Sequence, residues 1–560
     1  MRKTSEENGV SVKAYAGTTG VMLAMNMDDA RREGLLGFAI ERLKVQENKK
    51  DWLAGGLHFP GAAHSDGGIF PSNEAPIQLF RWSDYTVYPD KDYEYTIHPV
   101  YGTPANLKVE SGPIVQIRTE SIETGEHRVL FNRAAAASQA FARRFEGFLA
   151  RSAAARKAKI DPPPLPPNAQ AWLTRGLLDQ ILNFIRSAND DTWALDIAIY
   201  EYELPAIIQE VEAAFARKVN LRVVYHAKPK DPQTDLNQHN LSGLPPEALR
   251  ARLTSKICHH KFIVLSHMEK GKRVPKEVLC GSTNFTENGV YRQANVVHIL
   301  ERADIAGQYL DLFEVLFRGD DVSETRDFIN ANRPMLPPQP LFAGFSPRSE
   351  LTDLKQFIDI VNGAKRDVLF CTAFKLYDPL QNALLGKAHD PILRYGLQNT
   401  RSKITGFHAD RTARFTATAM LSQGLEGWLK ESTAGQKGNI LVHTKLLLVD
   451  FTSDSPIVVS GSHNYSKPAS NDNDENFLIL RGNTGVSDTY GCELMRLYDH
   501  YRFRFFKQEG LKAEAKARKS GKKLKPHELS LDIDSRWTDE YFGGDALKTL
   551  DRKRFAGEPV

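Results

Sequence analysis

Two stretches of the chain repeat the same alternation of apolar blocks and amphipathic spacing. In the first, a helical pattern over Trp172 to Ser187 precedes the apolar run Trp193 to Tyr202, a second helical pattern, Leu204 to Lys218, and a second strand pattern, Leu221 to His226. In the other, the helical pattern is Leu351 to Gly363, followed by strand patterns at Asp367 to Phe374 and Ile392 to Leu397. Apolar residues at intervals of three and four mark helices, and short apolar runs bounded by polar turns mark buried strands. Strands alternating with helices predict mixed or parallel sheets under a helical cover, an α/β architecture. Because the order occurs twice, an internal duplication is expected.

Two proline-rich breaks, Asp161 to Asn168 and Arg333 to Pro340, separate these stretches from each other and from what precedes them. Such runs cannot continue a helix or a central strand and read as linkers. The predicted partition is a β-rich accessory domain over 1–160, a first α/β half over 169–332, a second over 341–510 and a basic C-terminal tail over 511–560. In the accessory region a hairpin is expected from Ser11 to Met27 around Gly17-Thr18-Thr19-Gly20, and Tyr93 to Val100 alternates as a half-buried strand does. Ser83 to Gly102 resembles part of a fibronectin type III sandwich, and Ala134 to Ala150 favours helix. In the tail, Trp537, Tyr541 and Phe542 suggest a segment that docks back on the body, beyond the basic run Leu511 to Lys525.

Composition narrows the class without naming it. The 560 residues carry a net charge of +4, too small for this length to demand a polyanionic partner. The four cysteines, Cys258, Cys280, Cys371 and Cys492, show neither disulfide nor zinc spacing, so reduced thiols and a cytoplasmic location are expected. No apolar stretch approaches the length of a secretion signal or of a membrane-spanning helix.

The chemistry sits at the same place in both repeats. The first carries His259-His260-Lys261, an apolar strand and Gly281-Ser282-Thr283-Asn284; the second carries His443-Thr444-Lys445, an apolar strand, Asp450 and Gly461-Ser462-His463-Asn464. In a strand, residues two apart share a face, so each His-x-Lys pair presents an imidazole and an ammonium together, with His260 turned to the opposite side. Lys261, Lys445, Asn284 and Asn464 supply donors for the charge of a pentavalent phosphorus. One histidine can attack phosphorus while the other protonates the leaving oxygen, and an imidazole pKa near neutrality suits both tasks. This chemistry needs neither metal nor cofactor.

The paired H-x-K and G-S-x-N motifs resemble those of the phospholipase D superfamily over Trp172 to about Phe506. The resemblance implies two similar α/β halves packed as a pseudo-twofold pair around one site, and a phosphodiesterase acting through a phosphohistidine. The family pattern H-x-K-x-x-x-x-D is complete at Asp450, whereas Ser266 stands at that position in the first half. The family also orients each histidine with a residue from the opposite half. That expectation pairs Glu475 with His259 and Gln293 with His443, and makes His259 the nucleophile and His443 the general acid. Ser282 and Ser462 are expected to support the turns.

Three functions remain after this reading. Two halves fused in one chain favour a phospholipase D-like enzyme acting on phospholipid head groups, with the basic tail allowing peripheral membrane contact. A nuclease or DNA-end-processing phosphodiesterase of the same superfamily is the alternative, and a catalytically lapsed phosphate-binding module is the third.

Overall fold

The computed structural model describes residues 1–61, 69–133, 141, 144–161, 163–335, 338–387, 390–398, 413–417, 442–520 and 530–558; side chains are not described at 156, 413–417 and 503–518. The duplication is visible as two sheets of seven strands with one strand order. In the first sheet that order is His127–Phe131, Val296–Leu300, Lys272–Gly281, Lys261–Glu269, Trp193–Ile199, Asn220–His226, Leu249–Arg252. In the second it is Leu341–Ser346, Glu475–Arg481, Ile457–Gly461, Lys445–Val449, Asp367–Thr372, Leu393–Gln398, Ala413–Ala417. Both sheets are mixed. Trp193–Ile199 lies parallel to Asn220–His226 and antiparallel to Lys261–Glu269, as Asp367–Thr372 lies parallel to Leu393–Gln398 and antiparallel to Lys445–Val449.

The central strands are the apolar runs of the sequence, and they are buried because both faces are covered. Every residue of Asp367–Thr372 and Lys445–Val449 is buried. Asp196, in the middle of Trp193–Ile199, is also fully buried and lies 2.7 Å from Arg222 on the adjacent strand and 3.1 Å from Arg273, two strands away. A lone carboxylate there would be severely penalised; two guanidiniums make it tolerable.

Two sequence expectations change here. The helical pattern Trp172 to Ser187 is two helices, Pro167–Thr174 and Leu177–Arg186, because Arg175 (φ 53°) and Gly176 (φ 85°) are left-handed and end the first. The 1–160 segment is also not a self-contained accessory region. Its strand His127–Phe131 pairs with Val296–Leu300 and forms the outer edge of the first half's sheet, in the position Leu341–Ser346 takes in the second. The proline run at 161–168 falls inside the first unit, between its edge strand and its helices.

The rest of the N-terminal segment forms a four-stranded and a five-stranded sheet that share an apolar core, and a two-stranded pairing of Ala54–Gly55 with Phe70–Pro71. The hairpin Val10–Ala16 to Val21–Met27 is in register, and Asp92–Thr103 alternates buried and half-buried positions. The C-terminal stretch folds back on these sheets. The Trp537 ring lies 5.4 Å from Phe80 and 6.4 Å from Phe38, and the helix Ala546–Ala556 packs on Val21–Met27. Residues 511–520, expected in a tail, continue the long helix Thr484–Ser520. No helix among the described residues is long and apolar enough to cross a membrane.

Candidate active site

The two halves meet through short parallel bridges, Cys258 to Asp474 and Ala294 to Val442. These bridges are reciprocal: the segment before each catalytic strand pairs with the segment before the last strand of the opposite half. The amide of His259 donates to the Asp474 carbonyl at 2.9 Å, and that of His443 to the Ala294 carbonyl at 2.9 Å. Arg252 reinforces the seam with a bidentate contact to Asp474, at 2.8 and 2.9 Å, where both side chains are buried. The seam brings the two imidazoles to 6.5 Å between ring centres, with their planes at 75°.

Each lysine folds back toward its own histidine in the same way. Lys261 Nζ donates to the His259 carbonyl at 2.8 Å, and Lys445 Nζ to the His443 carbonyl at 2.7 Å. The two G-S turns also match. Gly281 and Gly461 are required because a Cβ would run into the carbonyl oxygens of Val296 and Asn476, respectively. The Ser282 hydroxyl accepts from the Val296 amide and donates to Asn295 Oδ1, at 3.1 and 2.8 Å. The Ser462 hydroxyl accepts from the Asn476 amide and donates to Glu475 Oε2, at 3.0 and 2.6 Å.

The groups behind the imidazoles differ. His259 Nδ1 lies 2.6 Å from Glu475 Oε2, whereas His443 Nδ1 lies 3.0 Å from Asn295 Oδ1 and 3.2 Å from the Ser282 carbonyl. The expected partner of His443, Gln293, is therefore replaced by Asn295. Gln293 belongs to the preceding turn, its amide donating to the Asn288 carbonyl and its carbonyl accepting from Asn132. A signal for Asn295 was present in the sequence: Ser282 to Asn295 and Ser462 to Glu475 are both thirteen residues apart.

The remaining candidates are placed unequally. Asn284 is buried and its side-chain amide donates to Glu201. Asn464 is half-buried, with no hydrogen-bond partner for its Oδ1 among the described residues. Asp450 lies at the far end of Lys445–Val449, where its carboxylate accepts from the Lys365 and Arg366 amides at 2.8 and 2.7 Å and fixes the turn into Asp367–Thr372. It supports the strand from outside the site. Ser266, at the matching position of the first half, is buried opposite Pro275 at a bulge. The sequence reading missed Glu201 as well as Asn295. Glu201 stands just past the end of the buried central strand Trp193–Ile199, the edge of an α/β sheet where ligands gather.

Burial and the two lysines together push the His259 imidazole well below its ordinary range. His443 is pushed down by burial, then by Lys445, Lys261 and His259. Burial lowers Lys261 to about 8, with Glu475 and Glu201 acting against it, and burial raises the Glu475 carboxyl. The site thus holds two neutral imidazoles in a positive field, suited to an incoming anion. Because kcat/KM reports the free enzyme, it should decline above about pH 8 as Lys261 loses its proton. In Lys261→Arg, whose guanidinium stays charged, a pH profile should show that limb removed.

The geometry and the motif pair resemble those of the phospholipase D superfamily, and a family model of that kind matches part of the chain. Residues 181–317 match the family model for a cardiolipin synthase, PLD-like domain. No curated protein sequence matches. Among solved structures, a phosphatidylserine synthase from Haemophilus influenzae is similar at 13% identity and TM-score 0.40, over 62% of this chain and 92% of that one. The phospholipase D family member Nuc from Salmonella typhimurium is similar at 23% identity and TM-score 0.20, over 24% of this chain and 84% of that one. A polyphosphate kinase from Porphyromonas gingivalis is similar at 13% identity and TM-score 0.37, over 54% of this chain. The match spans 46% of that kinase, about half its length.

Proposed function

We propose that this protein is a metal-independent phosphodiesterase that works through a phosphohistidine on His259. The observation that carries the reading is the pair of imidazoles 6.5 Å apart, with a carboxylate behind His259 and an amide behind His443. With Nδ1 held by Glu475, the Nε2 lone pair of His259 is left to attack phosphorus. The forming P–N bond displaces the leaving oxygen, which takes a proton from Nε2 of His443, an imidazole that takes up this proton from solvent when the phosphodiester anion binds and offsets the charge of Lys261 and Lys445. In the second step neutral His443 removes a proton from water, water oxygen bonds to phosphorus, and the P–N bond breaks to restore His259. Lys261, Lys445, Asn284 and Asn464 are placed by this reading around the phosphoryl oxygens, with Glu201 orienting the Asn284 amide.

A phospholipid head group is the substrate favoured by the fusion of two halves in one chain. A lysine-lined cavity beside the site supports a nucleic-acid strand instead. The complete set of histidines, lysines and supporting hydrogen bonds supports an active enzyme over a lapsed binding module. The test is turnover of bis(p-nitrophenyl) phosphate, phosphatidylcholine vesicles and single-stranded DNA in excess EDTA. Activity on at least one of these is expected to persist undiminished; complete loss that a divalent ion restores would overturn the mechanism.

A further inference from the structure

A cavity of about 470 Å³ borders the seam between the halves, and its walls include Lys228, Lys256, Thr254, Ser255, Val322 and Asp472. The seam itself ties it to the site. The Lys256 amide donates to the Asp472 carbonyl, the Asp474 amide to the Ile257 carbonyl, and the His259 amide to the Asp474 carbonyl. Lys256 is three residues before His259, so the two backbones lie within on the order of 10 Å. Lys228 follows the C-terminal end of Asn220–His226, the parallel neighbour of the strand that delivers Glu201, so it stands at the same edge of the sheet. Its loop is anchored, the Lys228 carbonyl accepting from Asp231 and Thr234.

The chemistry of the cavity fits a phosphate. Two lysines and one carboxylate, Asp472, line it, while Asp231 is engaged by His226 and Asp474 by Arg252. Ser255 is 1% exposed and its hydroxyl has no hydrogen-bond partner among the described residues, a buried polar group that is costly until something meets it. Resting on the phosphodiesterase reading above, we propose that this cavity holds the phosphate adjacent to the scissile one on a single-stranded nucleic acid. Neighbouring phosphates recur along a strand within the reach between Lys256 and His259.

The test separates the subsite from the reaction. Binding of a short single-stranded DNA is measured against salt in His259→Ala, with and without Lys228→Gln and Lys256→Gln. Turnover of bis(p-nitrophenyl) phosphate is measured for the two lysine substitutions in the otherwise unaltered enzyme, and thermal melting checks folding. The expected result is a loss of roughly tenfold in DNA affinity. The slope of log affinity on log salt should shrink by roughly 0.7, the value for one single-strand phosphate. Turnover of the small diester should be unchanged. An unchanged salt slope, an equal loss on the small diester, or a loss confined to bisphosphorylated lipid vesicles would overturn the proposal. Failure of the parent enzyme to cleave any diester would instead strike the phosphodiesterase reading, because the binding measurement does not depend on cleavage.

Discussion

His259→Ala is expected to abolish the covalent phosphoenzyme with every substrate, and His443→Ala to retain it when the leaving group needs no proton. This is the largest effect expected of any single substitution, because only the nucleophile bears the P–N bond. Rapid quenching followed by mass spectrometry should find phosphate on His259 alone. Loss of the general acid should cost about 10²- to 10⁴-fold with an alkyl leaving group and much less with p-nitrophenol, whose anion departs unassisted. The structural basis is the unequal backing of two otherwise similar rings: Glu475 lies 2.6 Å from His259 Nδ1, and Asn295 lies 3.0 Å from His443 Nδ1. A carboxylate stabilises the imidazolium-like charge that develops on attack, which an amide does less well. Label on His443 with none on His259 would reverse the roles while leaving the reaction intact.

Glu475→Gln is expected to slow attack by roughly ten- to a thousandfold, on the scale of losing a histidine-orienting partner. The substitution keeps the shape of a side chain that is fully buried and held by Ser462 and Asn473. It removes the charge that fixes the Nδ1–H tautomer of His259 and leaves Ser462 facing a weaker acceptor. Single-turnover measurements should show slower phosphoenzyme formation, with hydrolysis of the preformed intermediate less affected. Equal slowing of both steps would place Glu475 in the general scaffold and deny it a specific tie to the nucleophile. The burial that raises the Glu475 carboxyl gives the effect a pH sign: as pH falls and Glu475 takes up a proton, the parent enzyme should approach the rate of the Gln variant.

Much of this arrangement was legible in the chain. The apolar runs at Trp193 and Asp367 announced central strands because a strand covered on both faces must be apolar throughout. The doubled His-x-Lys and G-S-x-N motifs announced the duplication and the type of chemistry, since those residues lie close together in sequence and their spacing is local. The thirteen-residue interval from Ser462 to Glu475 also recurs from Ser282 to Asn295, so the true partner of His443 was written in the sequence. Comparing residue types drew the reading to Gln293 instead.

What the sequence determined by itself was the set of candidate reacting groups and the two strands that carry them. The tertiary structure alone decided which group stands behind which. His259 and Glu475 are 216 residues apart and His443 and Asn295 are 148 apart, and neither distance leaves a periodic trace in the chain. The strand His127–Phe131 joined the first catalytic sheet for a similar reason, because Val296–Leu300 offers an edge that a linker signal cannot reveal. Glu201 reached Asn284 only through the sheet register, and Lys228 and Lys256 came to one cavity only through the seam. Local patterns are set by neighbours a few residues away, whereas the electrostatics of the site come from groups that packing alone brings together.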